Sequence, residues 1–114
     1  MAITVSHTGT ATISTTEYSL VANSTTLATN TTAGVYQVFI DVSNMEAGDE
    51  YQIKIKEKVT ASGTQFSVYD ATLDGAQGSP FVAPTLVLIN GWDVTMDQIT
   101  GTARAISWSI RKVG

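Results

Sequence analysis

The sequence predicts an all-β protein: an antiparallel β-sandwich, jelly-roll-like, of about eight strands with an extended N-terminal arm. Three observations predict it. Several segments alternate apolar and polar residues with period two, the mark of strands that bury one face. No stretch carries a helical apolar period over three turns, so a helix would have no stripe to bury. Turn residues recur between the alternating segments at roughly ten-residue spacing, as in sandwiches and barrels.

The elements follow in order. Ile3, Val5, Ala11 and Ile13 stand among Thr and Ser in a strand-like rhythm, so residues 2–14 are an opening strand or arm. An extended segment follows and runs over the body, with Leu20 and Leu27 available to pack. Residues 35–42 place Val38, Ile40 and Val42 on one face. Residues 44–49 form a turn. Residues 49–59 send Tyr51, Ile53, Ile55 and Val59 to one face and Gln52, Lys54, Lys56 and Lys58 to the other. Ala61-Ser62-Gly63 connects this strand to 64–74 as an antiparallel hairpin. Residues 74–80 are a loop. Residues 85–89 read as a buried strand, Asn90-Gly91 as a hairpin turn, 92–99 as a strand and Thr100-Gly101 as another turn. In the last strand, 104–113, Ile106, Trp108 and Ile110 alternate with Ser107, Ser109 and Arg111.

Composition narrows the function. The chain has 114 residues, enough for one domain, 1–114. It divides into a Thr-rich arm and first strand, 1–34, and a main body, 35–114. Of its 18 Thr, 11 lie in the first 32 residues, where Glu17 is the only acid and there is no Lys or Arg. Threonine favours a half-exposed strand surface and can cover a sheet face without charge. The net charge is −4, from ten acids against six bases. That balance argues against nucleic acid and against an anionic membrane surface as partners. There is no cysteine, so the fold rests on packing and hydrogen bonds. No basic-plus-apolar leader and no apolar run of membrane-spanning length is visible, so synthesis in a cytoplasm is expected.

The chemistry-bearing residues are few. His7 is the one histidine, and nothing beside it suggests a nucleophile or an orienting acid, so it reads as an exposed arm residue. No metal site and no cofactor are expected. Asp70, Asp74, Asp93 and Asp97 could converge for glycoside hydrolysis or calcium, but none has calcium-loop spacing and they read as solvated surface. The stripe Lys54, Lys56, Lys58 reads as protection of an edge strand, or else as a patch for an acidic partner. Trp92 and Trp108 could form a sugar platform, but both are expected to pack internally. Trp108 belongs with the core isoleucines, and Phe81, between Pro80 and Pro84, is the aromatic expected to be exposed. No enzymatic activity is predicted.

The stretches Gly34-Val35-Tyr36-Gln37-Val38-Phe39-Ile40-Asp41, 81–95 and 101–113 together resemble small β-rich structural proteins of tailed bacteriophages, of the capsid decoration or cement kind. The resemblance implies a virion structural protein on the head surface. Such a protein binds the outer shell and bridges subunits of the major capsid protein, as a homo-oligomer for which a trimer is expected. It carries over no binding residues. The contact residues expected from the chain itself are Ile3, Val5 and His7 of the arm, the aromatics Phe81 and Trp92, and Lys54, Lys56 and Lys58. The alternative is a carbohydrate- or receptor-binding module of a phage tail or fibre, using Trp92 with Phe81 or Tyr69.

Overall fold

The computed structural model describes residues 2–114. It contains nine strands: β1 (Ile3–Ile13), β2 (Tyr18–Ser19), β3 (Gly34–Asp41), β4 (Glu50–Lys58), β5 (Gln65–Asp74), β6 (Phe81–Val82), β7 (Leu86–Leu88), β8 (Asp93–Thr100) and β9 (Arg104–Val113). No helix forms among the described residues. The first sheet runs β1-β9-β3-β6, with β7 also on β3, and the second runs β2-β8-β4-β5. Every pairing is antiparallel. The predicted strands are all present. The two not foreseen, β2 and β6, are each two residues long, too short for alternation to show.

The two sheets share one apolar core, as a β-sandwich does. Tyr36, Val38 and Ile40 of β3 and Ile106, Trp108 and Ile110 of β9 meet Tyr51, Ile53 and Ile55 of β4 and Val94 and Met96 of β8. Each of these is at most 3% exposed. Burying one such isoleucine contributes about 1.5–3 kcal/mol, so the alternating faces supply the main driving force. Val59 departs from the prediction. The strand ends at Lys58, Val59 falls in the following turn, and it is 82% exposed.

The Thr-rich opening is integral to the first sheet rather than a detached arm. β1 pairs with β9 from Ile3↔Val113 to Ile13↔Arg104, with a bulge between Val5 and His7. The segment 14–33 then crosses the body, as expected, and it is pinned by backbone groups that meet buried partners. The Leu20 N–H donates to the Val94 carbonyl at 2.7 Å, and the Trp108 indole N–H donates to the Leu20 carbonyl at 2.9 Å. Asn30 and Trp92 exchange two backbone hydrogen bonds of 2.8 Å each, and the Trp92 indole N–H and the Tyr36 hydroxyl both donate to the Thr32 carbonyl. The buried aromatics thus satisfy their polar ends and order a segment of little apolar content. Leu20 is in the core, but Leu27 is 43% exposed.

Three predicted turns carry out different tasks. Ala61-Ser62-Gly63 closes the β4–β5 hairpin as expected. Asn90-Gly91 and Thr100-Gly101 do not close hairpins, because β7 and β9 lie in one sheet and β8 in the other. They carry the chain across the sandwich. Both glycines adopt positive φ, +58° and +98°, so the turn chemistry was legible although its partner strands were not.

Candidate functional site

The outer face of the first sheet is the most distinctive surface. Register places Ile3, Val113, Val35 and Val87 in one row across β1, β9, β3 and β7. Ile3 is 71% and Val87 73% exposed. The next rows hold Val5, Arg111 and Gln37, then Thr8, Ser109, Phe39 and Val82, then Thr10, Ser107 and Asp41. The face therefore passes from aliphatic to hydroxyl-rich along the strands. At its side lies the edge strand β1. It spans 11 residues, contains no charged residue and no proline, and pairs on one side only, with β9. Natural edge strands are usually short, charged or covered.

At the hydroxyl-rich end, a groove of about 290 Å³ opens between β3, β9 and Pro80. It is lined by Phe39, Asp41, Pro80, Ser107, Ser109 and Arg111, above the paired residues Ile40 and Trp108. The Arg111 guanidinium lies 3.8 Å from the Phe39 ring centre. Sequence reasoning did not single out Phe39, Asp41 or Arg111. The usable signal was the alternation itself, which sets Ser107, Ser109 and Arg111 opposite the core face of β9 and Phe39 and Asp41 opposite that of β3.

The predicted contact residues are dispersed. Ile3 and Val5 are exposed on β1. His7 is half-buried at the β1 bulge. Its Nδ1 is 2.7 Å from the Ser6 hydroxyl, its Nε2 is 3.3 Å from the Asn30 amide nitrogen, and its ring stands edge-on to Trp92 at 5.7 Å. Burial lowers its pKa against the opposing charge of Asp93. It is not the exposed arm residue that was expected. Trp92 is 0% exposed and unavailable to a ligand, because segment 14–33 lies over it. Phe81 is half-buried against the core. The exposed aromatic is instead Phe66, 62% exposed.

The three lysines do not guard an edge, since β4 lies between β8 and β5. Lys54, Lys56 and Lys58 are half-buried. The Lys56 Nζ sits 2.8 Å from Glu17 Oε2. Burial alone would raise the Glu17 carboxyl, but hydrogen bonds from Lys56 and Thr95 with the lysine charges bring it below its ordinary value.

Two aspartates expected at the surface or in a turn are buried. Asp93 accepts from the Ser19 hydroxyl at 2.7 Å and from the N–H groups of Ala28 and Val94 at 2.9 and 2.8 Å. Its carboxyl is nonetheless pushed up by burial. Asp49 accepts from Arg104 Nε at 2.8 Å and from the N–H groups of Thr102 and Glu46 at 2.9 Å each. Those bonds, the Arg104 bond first, hold its carboxyl at about 2. Asp97 is raised by burial, and Asp70 and Asp74 are exposed on β5. No group of three metal-ligating side chains comes together among the described residues.

Comparison with known proteins adds no relative: no family model, curated protein or solved structure matches the chain.

Proposed function

We propose that the protein is a virion structural protein, a capsid decoration or cement protein. On this reading it docks on the outer head shell of a tailed phage, bridges neighbouring major capsid subunits and works as a homo-oligomer. The observation that carries the reading is β1: a long, uncharged edge strand flanked by the exposed side chains of Ile3 and Val5. A strand of this kind recruits another chain by β-addition, in which main-chain hydrogen bonds supply affinity and alternate side chains supply selection. The adjoining aliphatic row, Ile3, Val113, Val35 and Val87, offers apolar surface to the same partner.

The strand order supports the jelly-roll form of the sandwich. The chain passes from sheet to sheet at each step from β1 to β4, again from β5 to β6, and at each step from β7 to β9. Such exchange is what two Greek keys over paired four-stranded sheets require. Mechanically the protein would be a clamp, with modest contacts per copy multiplied by the symmetry of the shell.

Co-sedimentation with empty capsids of the phage carrying this sequence tests the reading, with native mass spectrometry reporting the oligomer. Wild-type protein is expected to bind saturably, and the double variant Ile3→Lys, Val5→Lys to bind at least about tenfold more weakly with an unchanged melting temperature. Both substitutions fall on exposed positions, so the fold should persist. Wild-type protein that fails to sediment with the shell, or a charged double variant that binds in full, would overturn it.

A further inference from the structure

We propose that the groove between β3, β9 and Pro80 binds an acidic sugar residue, with the Arg111 guanidinium receiving its carboxylate. The inference goes beyond the shell reading, which rests on the β1 edge, and the two can fail separately.

The ion pairs among the described residues are Lys56–Glu17, Arg104–Glu46 and Arg104–Asp49, and Arg111 takes part in none. Its guanidinium is nevertheless positioned. It stacks on Phe39 at 3.8 Å, and its Nε donates to the Ser109 hydroxyl at 3.3 Å. Stacking and the Nε bond fix the plane of the fork and leave both Nη amino groups to a ligand. A planar fork matches a carboxylate bidentately, and pre-ordering reduces the entropy lost on binding.

The other lining groups select the rest of the ligand. Ser107 and Ser109 place hydroxyls along β9, and Ser107 already shares a hydrogen bond of 2.8 Å with Thr10. Asp41 lies at the far end and accepts the Ser43 N–H at 3.0 Å through Oδ1. Bonds from Ser43 also hold the Asp41 carboxyl below its usual value, so it stays ionised. A carboxylate there repels a bare anion but accepts from sugar hydroxyls. Pro80 and the exposed part of Phe39 supply apolar surface for the C–H face of a ring.

Size agrees with one sugar residue. Phe39 and Asp41 are two residues apart on β3, about 7 Å along a strand, which separates the acid end of the ligand from its hydroxyl end by the span of one ring. The cavity of about 290 Å³ lies at the lower limit of small-molecule sites, which run from about 300 to 1,000 Å³. The groove is open, as a site for one residue of a longer chain must be. Unlike the buried Trp92, this surface is open to a ligand.

The test is a two-dimensional amide NMR titration of the full chain with sodium glucuronate, with glucose and sodium sulfate as separate probes. Glucuronate is expected to give saturable shifts at Phe39, Ser107, Ser109 and Arg111, with a dissociation constant on the order of millimolar, as befits a monosaccharide. Glucose should bind at least about tenfold more weakly, because it offers the fork no charge. Arg111→Gln should abolish the glucuronate shifts while leaving the remaining spectrum in place, and Arg111→Lys should recover them only in part. Absence of saturable shifts at these residues, equal binding of glucose, or full binding by Arg111→Gln would overturn the proposal. So would sulfate matching glucuronate, which would mark an adventitious ion only.

Discussion

Asp49 and Asp93 make a natural experiment within one fold. Both are withdrawn from solvent, at 1% and 0% exposure, and both accept two backbone N–H bonds and are bonded by a single further side chain. Yet the carboxyl of Asp49 is held at about 2, and that of Asp93 is pushed above its ordinary value. The difference lies in the third partner. For Asp49 it is the Arg104 guanidinium, 2.8 Å away, with Glu46 on the far side of the same arginine at 3.2 Å. For Asp93 it is the neutral Ser19 hydroxyl, and the nearest cationic influence, Lys56, is engaged by Glu17. Backbone donors alone do not offset the loss of water around a charge; a buried carboxylate needs a cation to stay comfortably ionised.

The strongest way to break the comparison is at Gly101. A Cβ there would come within 2.3 Å of the Asp49 Oδ1 and 2.7 Å of its Cα, at a φ of +98° that side chains rarely adopt. Gly101→Ala should therefore displace Asp49 from Arg104 and destabilise the fold by about 3 kcal/mol, read from urea unfolding. An alanine variant as stable as the wild type would show that the Asp49 contacts do not depend on this close approach.

Acid unfolding sharpens the comparison by sign. A lowered carboxyl such as Asp49 contributes stability that is present above its unfolded pKa and lost as pH falls toward about 2. A raised carboxyl such as Asp93 contributes in the opposite sense: its stabilisation is full below the unfolded pKa and is lost as pH rises through the folded one. Melting temperatures measured from pH 7 to pH 2 should accordingly fall less steeply for Asp49→Asn than for the wild type. For Asp93→Asn they should fall more steeply. Two variants with the same acid limb would remove the distinction.

The smallest expected effect concerns Lys56. Both partners of its ion pair with Glu17 are half-buried but keep some contact with water, so the pair contributes about 1 kcal/mol and Lys56→Met should change stability little. The same substitution removes a charge that lowers Asp93, so the Asp93 carboxyl should titrate higher still by carboxyl NMR. Asp49, whose cation is Arg104, should not move.

These two aspartates also mark how far the sequence could be read. Asp49 stood in a recognisable turn, and turn chemistry placed it correctly beside Gly48, but not against Gly101. Its ion pair with Arg104 was invisible, since the two are 55 positions apart. Asp93 stood at strand spacing from Asp97 and read as surface. The structure buries it because segment 14–33, which carries few apolar residues, folds back over β8 through backbone bonds. His7 was misplaced for the same reason, and so was Trp92 where it was counted among the contact residues, although its internal packing was expected. The groove residues Phe39, Ser107 and Arg111 were each on the correct, outward face, but nothing local indicated that β3 and β9 would be neighbours.

By itself the sequence determined the all-β class, the main strands, the inward faces of β3, β4 and β9, and the β4–β5 hairpin. Each of these is a local property: alternation with period two decides which side chains can be buried together, and a tight turn joins only what lies beside it. Tertiary structure alone decided which strands pair at long range, and so which turns cross the sandwich. Thr8 donates to the carbonyl of Trp108, 100 residues away, because β1 and β9 present matching faces and unsatisfied backbone groups to each other. Those pairings set the exposed β1 edge, the burial of Asp93 and Trp92, and the meeting of Arg111 with Phe39. They arise from the requirement that every buried donor and acceptor find a partner, which is satisfied by the whole chain at once and not by any one segment.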